Sequence, residues 1–112
     1  MISPNIETRR SARIRHAVPV HISGTDVRGR DFIVRTLTSV LSRFGARIIL
    51  KQELLAEQEV VIYCPGTGKE VSARIVKFLA SESAGYAYGV ELLSDEKNFW
   101  DIPFPPAVES QN

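Results

Sequence analysis

Val60-Val61-Ile62-Tyr63-Cys64-Pro65-Gly66-Thr67-Gly68-Lys69-Glu70-Val71-Ser72-Ala73-Arg74-Ile75 reads as a strand, a turn and a second strand. Val60 to Cys64 are β-branched, aromatic or apolar without interruption, a composition suited to a pleated, half-buried surface. Pro65-Gly66-Thr67-Gly68 marks a turn, because proline presets one backbone angle and glycine supplies conformations that other residues avoid. Beyond it Val71, Ala73 and Ile75 alternate with Ser72 and Arg74, the period of two expected of a strand with one buried face. That phase breaks at Ile75-Val76, which predicts a bulge or a strong local twist.

The same signals recur on both sides. Val18, Val20 and Ile22 alternate with Pro19, His21 and Ser23, and Pro19 suits an edge. Gly24 to Gly29 has the residues of a hairpin connection, and Phe32 and Val34 oppose Ile33 and Leu37 in the next strand. Ser39, Ser42 and Gly45 predict a bend over Thr38 to Gly45. Ala46 to Leu50 is a short strand, and Lys51 to Glu59 a polar crossing with Leu54 and Leu55 turned inward. After a turn at Ser81 to Gly85, Tyr86, Tyr88, Val90 and Leu92 form the last strand. The predicted strands are 17–23, 31–37, 45–50, 59–64, 69–79 and 85–93. Short strands separated by frequent turns indicate an all-β protein, a six-stranded antiparallel barrel. Residues 1–15 then form a flexible arginine-rich arm, 16–94 the barrel, and 95–112 an aromatic and proline-rich tail. That tail has room for at most one helical turn, around Glu96–Trp100.

Composition narrows the class. The chain has 112 residues, of which 44% are hydrophobic and 24% charged, the balance of one folded domain rather than a disordered chain. Cys64 is the only cysteine, so no internal disulfide or cysteine-rich zinc site exists. No apolar run approaches the ~20 residues of a membrane-spanning helix. The first residues, MISPNIETRR, lack the apolar stretch of a secretory signal, and a cytoplasmic location is expected.

Charge is balanced overall and asymmetric within. Fourteen Lys and Arg against thirteen Asp and Glu leave +1, which disfavours a general binder of polymeric nucleic acid or of membrane surfaces. Residues 1–56 carry +6 and residues 57–112 carry −5. Nine of the ten early cations are arginine, whose planar fork suits phosphates and the N7/O6 edge of guanine. Four of these, Arg9, Arg10, Arg13 and Arg15, fall within seven positions. They are either a solvated basic arm or the lid of a small anionic ligand.

Catalysis has little to work with. His16 and His21 stand in no recognisable pairing with Cys64 or an acid, and Cys64 at the end of an apolar strand reads as a small buried hydrophobe. No phosphate-cradling glycine loop and no cluster of metal ligands is present. The expectation is a non-enzyme without metal or cofactor. Phe99, Trp100, Ile102 and Phe104, stiffened by Pro103, Pro105 and Pro106, are either a clamp over one barrel end or a docking patch.

Arg9-Arg10-Ser11-Ala12-Arg13 fits an R-x-x-x-R signature. Val40-Leu41-Ser42-Arg43-Phe44-Gly45 follows 27 residues later and supplies the serine and glycine of an Asp/Asn-x-Ser-x-x-Gly signature. With the apolar pattern of Gly45-Ala46-Arg47-Ile48, Val60-Val61-Ile62, Ala73-Arg74-Ile75-Val76 and Gly89-Val90-Glu91-Leu92, the chain over residues 9–93 resembles the PilZ domain family. The resemblance implies a six-stranded β-barrel that receives the bacterial second messenger cyclic di-GMP in signalling, and a protein effector downstream. It implies that Arg9 and Arg13 engage guanine and phosphate with Arg10 as a helper. Ser42 and Gly45 would shape the floor of the site. The sequence departs from the pattern at Val40, which stands at the Asp/Asn position and offers no hydrogen bond to guanine. A missing polar partner of this kind weakens binding about ten- to a hundredfold, which leaves a second reading beside the receptor: a degenerate adaptor that acts through protein contacts and binds little or no nucleotide.

Overall fold

The computed structural model describes residues 12–94 and 98–104. Seven strands follow in chain order: β1 (Ile14–Arg15), β2 (Pro19–Thr25), β3 (Asp31–Ser42), β4 (Gly45–Leu50), β5 (Glu59–Cys64), β6 (Lys69–Glu82) and β7 (Gly85–Leu92). All pairings are antiparallel, and the strands run β3-β2-β5-β6-β7-β4 and back to β3. This is the expected closed six-stranded barrel, with β1 as one additional outer strand on β3. Closure leaves few backbone groups on open edges. Among the described residues, no helix is long and apolar enough to cross a membrane.

The period of two sorts the side chains as expected. Val20, Ile22, Ile48, Ile62, Ala73, Ile75 and Tyr88 point into one core, each essentially without exposed surface. Each of these buried valine and isoleucine side chains contributes roughly 1.5–3 kcal/mol relative to leaving it in water. The β5–β6 turn closes by donation from the Gly68 and Thr67 amides to the Cys64 carbonyl, 2.8 and 3.1 Å, and Gly68 has φ 72°. A positive φ there is the reason for glycine. In the β2–β3 turn the Arg28 and Arg30 amides each donate to Asp26 Oδ1 at 2.9 Å. The Arg30 amide foremost holds the Asp26 carboxyl below its usual range.

Three boundaries differ from the sequence reading. The bend expected over Thr38 to Gly45 is instead strand: β3 continues to Ser42, and the turn is only Arg43-Phe44. A register shift between Thr38 and Val40 lets the strand bend without ending. The predicted irregularity at Ile75-Val76 is present, as a register shift between Ile75 and Lys77, and a second follows between Phe78 and Ala80. With both absorbed, β6 runs to Glu82. Finally, Ile14 and Arg15, read as the end of the arm, form the outer strand β1 by pairing with Leu41 and Val40. Buried Thr38 joins β1 to β2: its hydroxyl accepts from the Val18 amide at 2.9 Å and donates to the His16 carbonyl at 2.7 Å.

Asn98 to Trp100 form a turn, with the Asp101 amide donating to the Asn98 carbonyl at 2.9 Å. Phe99 and Trp100 are buried members of the core, and Ile102 and Phe104 pack against it. Phe99 and Trp100 therefore belong to the core and not to an exposed docking patch.

Tyr88 is the buried polar anchor of the crossing from β4 to β5. Its hydroxyl donates to the Gln52 carbonyl and accepts from the Leu54 amide, both at 2.9 Å. Tyr88→Phe removes one oxygen and leaves two backbone groups without their partner, for an expected loss of about 1–3 kcal/mol in urea unfolding. Burial pushes the Tyr88 hydroxyl above its ordinary value. Its ionisation therefore favours the unfolded chain: the contribution is complete below the unfolded value of about 10 and is lost as pH rises through the folded one. The alkaline fall in stability should be shallower in Tyr88→Phe, and an equally steep fall would assign it to other groups.

Candidate functional site

Directly opposed residues in antiparallel strands send their side chains to the same face. Arg15 pairs with Val40, Val40 with Arg47, Arg47 with Gly89, and Gly89 with Lys77. These five residues make one row across β1, β3, β4, β7 and β6 on the outside of the barrel. The row beneath it, Ile14, Leu41, Ala46, Val90 and Ile75, is paired in the same way and faces the core. Both bulges are needed for this order. In a regular strand Thr38 and Val40 would share a face; the shift between them leaves Thr38 and Leu41 inside and turns Val40 outward. The shift after Ile75 does the same for Lys77.

Above this row lies a groove of about 660 Å³, lined on one side by Arg13, Val40 and Ser42 and on the other by Val76, Lys77 and Leu79. Gly45, Arg47, Gly89 and Glu91 line it between them. Its volume lies in the range of pockets that take small organic ligands, roughly 300–1,000 Å³. The floor is largely apolar and the rim cationic. Glu91, the acid of the lining, is bound by the Arg74 guanidinium, which also pairs with Glu57 at 2.5 Å. Hydrogen bonds donated by Arg74 to Glu91 and Glu57 keep its charge in place, its pKa raised above the ordinary value. Among the described residues neither Arg13 nor Lys77 has an ion-pair partner. A second cleft, about 320 Å³, lies between the β2–β3 turn and Lys51–Glu53. There Arg28 and Arg30 are interleaved with Asp26, Asp31 and Glu53, so that its cations face acids.

The residues singled out in the sequence fall as follows. Arg13 is exposed on the groove immediately before β1. Arg9 and Arg10 lie outside the described residues. Ser42 lines the groove, but its polar atoms are turned to the fold: its hydroxyl accepts from the Phe44 amide at 3.3 Å, and its carbonyl accepts from Trp100 Nε1 at 3.0 Å. Gly45 is buried, and a Cβ there would collide with the Val90 carbonyl oxygen on β7. Glycine is thus required by the close approach of β4 and β7, with no unusual φ involved. Val40 faces the groove, opposite Arg47 rather than at a distance from any charge.

Arg47, Lys77 and the Val76–Leu79 wall were not anticipated as site residues. The break in phase at Ile75-Val76 was the signal for that wall, since a bulge re-aims side chains. Arg47 carried no local signal, because its place is defined by pairing with strands distant in sequence. No protein-family model matches the chain, and no curated protein matches it significantly.

Proposed function

We propose that this protein is a PilZ-like, non-enzymatic receptor for cyclic di-GMP that works in the bacterial cytoplasm. In this reading its arginine arm closes over a ligand seated in the groove, and the change is passed to a protein effector. One observation carries the reading: Arg13, Val40, Ser42 and Gly45, from two segments 27 residues apart, meet on a single cationic groove of about 660 Å³. An arginine fork reads the N7/O6 edge of guanine, each good contact contributing about 1–3 kcal/mol of discrimination. The apolar faces of Val40, Val76 and Leu79 offer a surface for bases, and Arg13 and Lys77 offer charge to phosphates.

Calorimetric titration with cyclic di-GMP tests this directly. The wild-type chain should bind, and Arg13→Ala should bind at least tenfold more weakly with little change in melting temperature, because an exposed guanidinium contributes little to the core. Equal binding by both chains would remove the groove from consideration. Val40 favours one other reading, that of a degenerate adaptor: an apolar side chain at this position gives guanine no hydrogen bond. Under that reading no nucleotide binds, and Arg13→Ala instead weakens a protein interaction.

A further inference from the structure

Arg47 occupies the centre of the outer row, and its charge is already in use. Nη1 donates to Ser39 Oγ at 3.0 Å, and Nη2 donates to Glu82 Oε2 at 2.5 Å. Ser39 lies at the β3 bulge, and Glu82 is the last residue of β6, paired with Gly85 across the hairpin end. The side chains of Arg47 and Glu82 remain 28% and 37% exposed, so water competes for both. A guanidinium has five N–H donors, and exposed ion pairs add little to stability. The partner of Nη2 is therefore exchangeable.

The neighbourhood favours exchange for an anion. Next to Arg47 in the row is Gly89, where a Cβ would find only Leu79 Cδ1, at 3.9 Å. Bare backbone thus separates Arg47 from Lys77, two strands and about 10 Å away. A group with a delocalised negative charge seated over Gly89 would lie between two cations. Glu82 reaches only one of them. On the other side Val40 contributes no acid that would hold Arg47 in place.

The geometry points to Arg47 as a second anion-binding residue of the groove, with Glu82 as an internal competitor that a phosphodiester of the bound cyclic dinucleotide displaces. This rests on the reading of the groove as a cyclic di-GMP site. Arg47 adds a contact to the phosphodiester in a groove where Val40 gives guanine no hydrogen bond, and Glu82 sets the affinity by the strength of its hold. The device selects ligands with a second anionic group placed over Gly89, and neutral guanine nucleosides gain nothing from it.

Four chains decide the matter in titrations with cyclic di-GMP at one ionic strength: wild type, Glu82→Gln, Arg47→Gln and the double variant, each checked by circular dichroism. Glu82→Gln should bind two- to fivefold more tightly, and Arg47→Gln at least tenfold more weakly. The Glu82→Gln gain should vanish when Arg47 is absent. A gain that persists in the double variant is a general charge effect and overturns the proposal. No gain from Glu82→Gln, or wild-type affinity in Arg47→Gln, overturns it too while leaving the groove and Arg13 as they stand. If Arg47→Gln does not fold, Arg47→Lys serves: it keeps the charge, loses the fork, and should be weaker than wild type. Failure of all four chains to bind removes the cyclic di-GMP reading itself, and this inference with it.

Discussion

Trp100→Ala is expected to lower the stability of the barrel by about 3–5 kcal/mol, the usual cost of removing a large buried aromatic side chain. Trp100 is 3% exposed and packs edge-on against Phe99, with ring centroids 4.9 Å apart. Truncation removes that contact, opens a cavity in the core and takes away the Nε1 donor that satisfies the Ser42 carbonyl. Total stabilities of small domains are about 5–15 kcal/mol, so the loss is a large part of what is available. Urea unfolding should be followed by circular dichroism rather than fluorescence, because Trp100 is the only tryptophan. A midpoint within ~1 kcal/mol of wild type would mean that the Asn98–Phe104 segment is an ornament on the barrel and not part of its core. Ser42 adds a second consequence. Since the Trp100 indole holds the carbonyl of a groove residue, milder changes at position 100 should alter ligand affinity as well as stability.

Gly45→Ala is the second large effect, expected to cost about 1–3 kcal/mol through overpacking. The added methyl would meet the Val90 carbonyl oxygen, and backbone cannot move aside as the end of a flexible side chain can. Relief requires β4 and β7 to separate where Gly45 pairs with Glu91 and Ala46 with Val90. That separation widens the groove floor, so affinity and melting temperature should fall together. Arg13→Ala should change affinity alone. The contrast separates a residue that shapes the site from one that touches the ligand, and a Gly45→Ala chain as stable as wild type would contradict the steric account.

Much of this was legible in the chain. Strands β4 and β5 begin and end where alternation and turn residues predicted, because each has one continuous apolar face and Pro65-Gly66 stops β5. The bulge after Ile75 was visible as two apolar residues in succession, where period two allows one. The resemblance to the PilZ signatures paired Arg13 with Ser42 and Gly45, and the fold brings these residues to one groove. Thr38 was not legible. Ser39, Ser42 and Gly45 suggest a bend over Thr38 to Gly45; the Thr38 hydroxyl instead serves backbone partners at the break between β1 and β2, some twenty residues earlier.

Which residues face inward is a property of one strand at a time, set by the alternation of apolar and polar side chains, and composition and order were enough to establish it. Which residues meet on the outside is a property of four or five strands at once. It depends on how β3, β4, β7 and β6 are brought into register to close the barrel, and on the two bulges that shift Val40 and Lys77 by one residue each. A shift of one residue exchanges inside for outside. No local signal says how closure distributes such shifts, so the resemblance could bring Arg13 and Ser42 to one site, but nothing in the sequence placed Arg47 between Val40 and Gly89. That neighbourhood exists only in the closed barrel, where strands separated by thirty residues of chain lie side by side within hydrogen-bonding distance.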